Sequence, residues 1–448
     1  MDDFSLEPPL EAIIEAIKER GGRALIVGGW VRDRLLGIHS KDLDFEVFGL
    51  ELPALEAVLK RFGNVQRVGK QFGVLRVQGL DVDFSLPRKD NKIGTGHRGF
   101  HIETDPTMSF KSAALRRDLT VNSMGFDPYT RELLDPHGGQ SDLSASILRP
   151  TSQEHFAEDP LRGLRAIQFA ARLAMKPSPE LVQLCADLDL SELPKERFRA
   201  EFEKWFGLGV RPSLGLQLLF DAALQRHFVG LSTLSEDQRD QLGIILDAIS
   251  RLPNTKREHR ITLSLAVMGF HFEKEKTSDA IELHRPASGP WSPHHRETTS
   301  SRLHLQFIEA IGQPHKAQDQ SLCWLQTLEW LEHTAHPELS NGTLRRLATF
   351  LNNADIPLSV WLESVQAVGL AGNEWVADLR ARATDLRCID GPLPDLIQGR
   401  DLIGRGLRPG PKFAAILTEC RRIQDDEGID DSEALLDRVL LAKPFETL

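Results

Sequence analysis

The sequence has few of the residues that would staple a chain or anchor it. Its four cysteines, Cys185, Cys323, Cys388 and Cys420, lie far apart and form no Cys-x-x-Cys pair. Zinc ribbons and dithiol redox chemistry are thereby disfavoured, and the thiols read as reduced core residues. No apolar run reaches the length of a membrane-spanning helix. The first twenty residues are acidic and amphipathic, without the basic start and apolar centre of a signal peptide, so a cytoplasmic location is expected. Positive charge is also scarce. With 54 Lys and Arg against 65 Asp and Glu, the formal net charge is −11. That balance argues against indiscriminate nucleic-acid binding, but it leaves room for a local basic groove with salt-sensitive affinity. What is present is ordinary for a globular protein, at 41% hydrophobic and 27% charged residues. A chain of 448 residues exceeds one typical core, so about two to four domains are expected.

The most informative stretch runs from Ala24 to Gly49. An apolar run of strand length, Ala24 to Val27, leads into Gly28-Gly29. A short helical segment from Trp30 to Leu36 follows and stops at Gly37. A second strand then carries Asp42 and Asp44. Residues two apart on a strand share a face, so these carboxylates project side by side. A divalent cation would relieve their repulsion, and Mg²⁺ favours one or two carboxylates together with substrate phosphate oxygens. Glycines let the backbone approach a phosphate, and a helix start favours negative charge. A carboxylate pair beside such a cradle points to phosphoryl or nucleotidyl transfer. Alone, Asp-x-Asp would read as a surface strand.

Gly28-Gly29-x-Val31-Arg32-Asp33-x-Leu35-Leu36-Gly37, followed by Asp42-x-Asp44, resembles the first motif of the class II tRNA nucleotidyltransferases and bacterial poly(A) polymerases. The resemblance implies an α+β fold. A polymerase-beta-like nucleotidyltransferase head with a small mixed sheet (1–150) would precede an all-α neck (151–230), body (231–390) and tail (391–448). It also implies Mg²⁺ held by the catalytic pair Asp42 and Asp44. Gly28, Gly29, Arg32 and Arg117 would lie along the triphosphate.

Three short strands are expected at Val65 to Val68, Val74 to Val77 and Val82 to Leu86. The last carries Asp83, either a third metal carboxylate or a residue turned to solvent. Arg88 to Lys111 is rich in glycine, charge and histidine and reads as a loop. The resemblance sets its length against CC-only addition. Arg117, Asp118 and Asn122 offer a cation for phosphates and polar acceptors for ribose hydroxyls, with Asp118 and Asn122 on one helical face. In the family this Arg-Arg-Asp-x-Thr-x-Asn segment binds the incoming nucleotide. Asp135-Pro136-His137-Gly138-Gly139 reads as a turn.

Asp159, Arg162 and Arg165 fall three apart in His155 to Leu173, which places them on one face if Pro160 lies early in a helix. Asp159 can accept from the exocyclic amino group of C or A while Arg162 donates to the neighbouring ring nitrogen. U and G present the opposite pattern. The segment matches the family's Glu-Asp-x-x-Arg motif, although Gln168 stands where many relatives hold a basic residue. Glu196-Arg197, Glu201 and Lys204 resemble the neck motif and read as structural brackets. From Leu231 the pattern is helical and carries no His-Asp dipeptide, so no phosphohydrolase activity is expected. His294-His295 reads as loop. Near the end, Gly399-Arg400-Asp401-Leu402 through Pro409-Gly410-Pro411 resembles a C-terminal motif of the family. Arg400, Arg405, Arg408 and Lys412 are candidate tRNA backbone contacts there.

The resemblance thus implies template-independent addition of CCA, or of its terminal A, to tRNA 3′ ends from CTP and ATP. An enzyme restricted to ATP and a poly(A) polymerase remain open beside it. A catalytically inactive RNA-binding protein is the alternative of another class.

Overall fold

The computed structural model describes residues 6–40, 42–68, 73–92, 100–272, 299–334 and 338–441. Within the expected loop, residues 93–99 lie outside that set, as does the His294-His295 pair. The chain folds as two compact units. One is Met1–Glu201 with Gln217–Leu224, and the other is Phe202–Leu216 with Gln225–Leu448.

The first unit begins with helix α1 (Pro8–Glu19), strand β1 (Arg23–Val27), helix α2 (Gly29–Leu35), strand β2 (Leu43–Phe48) and helix α3 (Leu52–Leu59). Strands β3 (Val65–Val68), β4 (Val74–Val77) and β5 (Val82–Ser85) follow at the three places expected from the sequence. Next come β6 (Arg88–Lys92), β7 (Phe100–Thr104), helix α4 (Phe110–Ala114), β8 (Gly125–Asp127), β9 (Glu132–Leu134) and helix α5 (Gly139–Ala145). Seven of these strands form one sheet in the order β3-β4-β5-β2-β1-β8-β9. The sheet is mixed, because β2 and β5 run parallel while β1 runs antiparallel to both β2 and β8.

The period of two divides this sheet into two working faces. Leu43, Phe45 and Val47 of β2, Ala24 and Ile26 of β1, and Val82 and Phe84 of β5 join one core with residues of α1 and α3. The opposite face carries Leu25, Val27 and Phe48, which pack with Ala113 of α4. Asp44, Glu46 and Asp83 alternate with the main-core residues and so belong to this second face. Phe45 and Phe84 hold β2 and β5 in register, their rings stacked at 5.2 Å and fully buried. Replacing Phe84 by Ala should cost about 3–5 kcal/mol, through lost transfer energy and a cavity under the Asp44–Asp83 pair. A denaturant titration of the variant measures that loss.

Arg88 to Lys111 is not all loop, because β6 and β7 pair antiparallel from Arg88↔Thr104 to Lys92↔Phe100. Strand β6 is wholly polar, and the brief alternation of Phe100 and Ile102 in β7 is too short to mark a strand by itself. Strands β8 and β9 were also invisible in the sequence, being three residues each.

Helices α6 (Gln153–Glu158), α7 (Leu161–Leu173), α8 (Pro179–Ala186) and α9 (Lys195–Leu208) continue the chain. A short parallel pair joins Ile147–Leu148 to Lys176–Pro177. In the second unit, Trp205 and Phe206 stack at 4.5 Å, and Phe202, Phe228, Phe272 and Phe307 meet in edge-on contacts. The helical character expected after Leu231 holds for the described residues up to Leu441. The end of the chain has a small core of its own around Leu402, Ile416, Cys420 and Leu436. All four cysteines are buried and unpaired. Among the described residues, no helix is long and apolar enough to cross a membrane.

Candidate active site

The site grows from the end of β1. Val27 pairs with Asp44 on one side and with Gly125 on the other. The chain must then turn sharply into α2, and Gly28 does so at φ 79°. A side chain there would be strained, and its Cβ would stand 3.0 Å from Arg117 Nη1. Gly28 is therefore glycine for two reasons, backbone conformation and the close approach of a guanidinium.

Asp42 and Asp44 are both exposed, and Asp44 lies directly beside Asp83 in the parallel β2–β5 ladder. Crowding by protein, then Asp83 and Asp42, push the Asp44 carboxyl above its ordinary range, while Arg117 and Arg76 pull it down. The accumulated negative charge is what a divalent cation would relieve. Asp83 itself accepts from Arg76 Nε at 2.7 Å. Among the described residues, no set of three His, Cys, Asp or Glu side chains is arranged around a common metal position.

Behind Asp44 on the same strand is Glu46, which is fully buried. Arg116 Nη2 donates to its Oε1 at 2.7 Å, and Arg117 Nη2 stands 3.7 Å from Oε2. Burial works against the Glu46 charge, but Arg116 and Arg117 outweigh it and hold the carboxyl below its usual range. Sequence reasoning missed Glu46, although its place two residues after Asp44 put it on the same face.

The segment after Arg117 differs from the single helical face expected. Leu119 is extended and bridges Pro150, and only Thr120–Asn122 forms a 3₁₀ turn. Backbone bonds from Thr120 N to Arg149 O and from Thr151 N to Asp118 O hold the chain extended. The side chains meet nonetheless. Asn122 Nδ2 donates to Asp118 Oδ1 at 2.9 Å, and Arg165 Nε donates to Asp118 Oδ2 at 2.7 Å. Burial opposes the Asp118 charge, yet Arg165, Asn122 and the Leu119 amide together keep its carboxyl below the ordinary range. Arg32 is buried too. Its Nε and Nη2 donate to Asp33 Oδ1 at 2.8 and 2.6 Å, and its Nη1 donates to Asn122 Oδ1. Arg32, Arg165 and Arg172 stand around the Phe169 ring at 5.1, 5.3 and 5.7 Å. Phe169 and Arg172 were not singled out in the sequence.

Asp159 is not within a helix. It lies between α6 and α7 at φ −122° and ψ 105°. The residue before a proline is driven out of helical geometry, and Pro160 imposes that here. Asp159 Oδ1 accepts from Leu161 N at 3.0 Å, and Oδ2 accepts from Arg197 Nη2 at 3.1 Å. Arg162, in the first turn of α7, donates through Nη2 to Arg116 O at 2.6 Å and through Nη1 to His155 O. Both residues of the expected base reader are thus fixed by neighbours, Asp159 by Arg197 and Arg162 by two carbonyls. Asp135 receives the Gly139 and Gln140 amides at 2.7 and 2.9 Å, and Asp142 receives Thr120 Oγ1 at 2.7 Å. The Asp135–Asp142 turn is therefore tied to the 118–122 segment.

In the second unit, Arg400, Arg405, Arg408 and Lys412 are all exposed around the turn between helices Gly399–Gly404 and Pro411–Glu427. Arg405 is engaged by Glu433 and, at 2.9 Å, by Asp437. Nearby acidic groups therefore offset part of the local positive charge.

Comparison with known proteins adds to this geometry. The sequence profile of the poly A polymerase head domain matches residues 24–149. The multifunctional CCA protein of Xanthomonas campestris pv. campestris is 35% identical over 208 residues, 45% of this chain and 49% of that protein. The multifunctional CCA protein of Haemophilus influenzae is 40% identical over 186 residues, 40% of this chain and 43% of that one. The matched part spans about half the length of these curated relatives. Two solved structures share the fold over nearly the whole chain. The Bacillus stearothermophilus CCA-adding enzyme in complex with CTP aligns with a TM-score of 0.68 at 22% identity, covering 97% of this chain and 99% of that one. The Thermotoga maritima CCA-adding enzyme complexed with tRNA_CCA aligns with a TM-score of 0.61 at 18% identity, covering 98% and 96%. Residues 24–149 therefore resemble a poly A polymerase head domain, and the chain as a whole shares the fold of the CCA-adding enzymes.

Proposed function

We propose that this protein is a template-independent tRNA nucleotidyltransferase that adds CCA, or its terminal A, to tRNA 3′ ends from CTP and ATP. One observation carries the reading. Asp44, flanked by Asp42 and beside Asp83, shares a sheet face with a buried Glu46 that engages Arg116 and Arg117. The relatives named as CCA proteins and the CTP- and tRNA-bound structures of the same fold support it. The proposed divisions are a head at 1–150, a neck at 151–230, a body at 231–390 and a tail at 391–448.

Asp42 and Asp44 fit Mg²⁺ by the chemistry of their donors, two exposed carboxylates with a third, Asp83, beside Asp44 on the neighbouring strand. The ion would supply activation of the primer 3′-hydroxyl and stabilisation of charge on the departing pyrophosphate. Asp83 accepts from Arg76 through Oδ1, and Oδ2 is the oxygen it would offer as a ligand. Arg117, beside Gly28, would meet the triphosphate, with Gly28 and Gly29 leaving room for it. Arg32 is engaged by Asp33 and Asn122 through three of its five N–H groups, so it would hold Asn122 and Asp118 in place for the ribose and keep two N–H groups for the triphosphate. Arg165 does the same for Asp118. Asp159 and Arg162 would present the acceptor and donor that admit C and A. No protein nucleophile is required. Arg400, Arg408 and Lys412 would touch the tRNA backbone, and Arg405 would do so in exchange for its acidic partners.

The test is product length. tRNA lacking CCA and tRNA ending in CC are incubated with each nucleotide and Mg²⁺. Growth by three residues identifies CCA addition, growth only of the CC-ended tRNA identifies A addition, and a long ladder identifies polyadenylation. No growth with any substrate overturns the proposal.

A second measurement needs no turnover. Because the folded-state carboxyl of Asp44 is raised, its stabilising contribution is complete below the unfolded value and is lost as pH rises through the folded value. At neutral pH its charge therefore opposes folding, and Asp44→Asn should raise Tm in the absence of metal. Mg²⁺ should raise Tm of the parent protein and have less effect on the variant. Equal Mg²⁺ shifts in calorimetry would remove Asp44 from the metal site.

A further inference from the structure

We propose that Glu46 is a positioning residue of the nucleotide site, orienting Arg117 for the triphosphate and, through Arg116, holding the base-reading Arg162. The inference rests on the reading of residues 24–165 as a nucleotide site. Three independent features of this chain carry it.

The first is location. Glu46 lies on the strand that bears Asp44, which Asp42 immediately precedes, on the same face as Asp44, and it is fully buried. A carboxylate in that position is costly unless it is paired and hydrogen-bonded. A structural role on a sheet face would be filled more cheaply by an apolar residue such as its neighbours Val47 and Phe48.

The second is the pair of arginines. Glu46 Oε1 accepts from Arg116 Nη2 at 2.7 Å, and Oε2 faces Arg117 Nη2 at 3.7 Å. The Oε2 atom is buried and has no hydrogen-bond donor, so its relation to Arg117 is one of charge rather than of a formed bond. Arg117 is thus attracted to Glu46 without being locked by it. Its other terminal nitrogen reaches the Gly28 turn, with Nη1 3.0 Å from where a Cβ would stand. That arrangement directs a guanidinium toward the turn while leaving it able to bond an anion there.

The third is the connection onward. The carbonyl of the same Arg116 accepts from Arg162 Nη2 at 2.6 Å. One short chain of contacts therefore runs from the strand of the carboxylate pair, through Glu46 and Arg116, to the arginine assigned to the base edge. Asp44, Glu46, Arg116 and Arg162 are linked in space although more than a hundred residues separate the first from the last in sequence. Glu46 would couple where the phosphates sit to how the base is read.

The experiment compares the full chain with Glu46→Gln, which keeps the shape and removes the charge, and with Glu46→Asp, which keeps the charge. Affinity for CTP and ATP is measured with Ca²⁺ in place of Mg²⁺, and transfer to CC-ended tRNA is measured with all four nucleotides. Glu46→Gln should bind CTP and ATP about tenfold more weakly and raise KM by a similar factor, with kcat changing less. Its discrimination against UTP and GTP should fall as Arg162 loosens, and Glu46→Asp should recover part of both. A Glu46→Gln protein with unchanged affinity and unchanged selectivity overturns the inference. So does equal loss of kcat at constant KM, which marks a merely structural role. Should Glu46→Gln not fold, as judged by circular dichroism, Arg116→Gln breaks the same link from the half-exposed side, and unchanged base selectivity in that variant overturns it equally. If the parent binds nucleotide but transfers none, the functional reading fails while the affinity comparison still judges Glu46.

Discussion

Asp42→Ala and Asp44→Ala each remove transfer with every nucleotide, in single-turnover assays with CC-ended tRNA and Mg²⁺. The expected loss is at least about 10²–10³-fold, the scale on which one preorganised charge-stabilising group acts. The loss should be indifferent to the base, since neither carboxylate is assigned to the base edge. Both side chains are exposed at the rim of the sheet, so little folding stability depends on them. Unfolding curves should accordingly stay close to the parent's, and Asp44→Ala should rise slightly, because it removes a carboxylate that burial, and after it Asp83 and Asp42, hold above the ordinary range. Near-normal incorporation by either variant would sink the metal assignment.

The second large effect concerns choice rather than rate. Asp159→Ala should lower selectivity for CTP and ATP over UTP and GTP by about 5- to 150-fold, corresponding to about 1–3 kcal/mol for a bidentate base contact. Asp159 also accepts the Leu161 amide and faces Arg197, so the variant loses a local turn and one ion pair. Those losses should lower stability by about 0.5–2 kcal/mol, as for a helix cap. The two effects separate in Arg197→Ala, which leaves the carboxylate in place and frees its orientation. Selectivity there should fall less than in Asp159→Ala. If competition assays with mixed nucleotides show Asp159→Ala as selective as the parent, the base-pairing role passes to other residues.

These predictions draw on the sequence and the structure in unequal parts. The Gly28-Gly29 turn, α2 and its stop at Gly37, and strands β1 to β5 were legible in the chain, because apolar alternation and glycine placement are local signals. Of the carboxylate pair only Asp44 stands within β2, because the strand begins at Leu43 and Asp42 precedes it. The ribbon of β6 and β7 was not legible, since β6 is wholly polar and β7 offers only Phe100 and Ile102. Nor was the extended path at Asp118 and Leu119. It is set by pairing with Arg149 and Thr151, which lie thirty residues onward and carry no mark of that pairing.

By itself the sequence determined the residue types and their order: a carboxylate pair after a glycine turn, an Arg-Arg-Asp segment, and an Asp-x-x-Arg around Pro160. Periodicity and backbone preference act within a few residues, so they reached that far and no farther. Only the tertiary structure decided the partners. It set Asp83 beside Asp44 while giving it to Arg76, and it spent Arg32 on Asp33 and Asn122. It fixed Arg162 on two carbonyls and placed Glu46 beneath the arginines. Those outcomes depend on strand register and on which buried charges must find a counterpart, and both are settled when distant segments pack together.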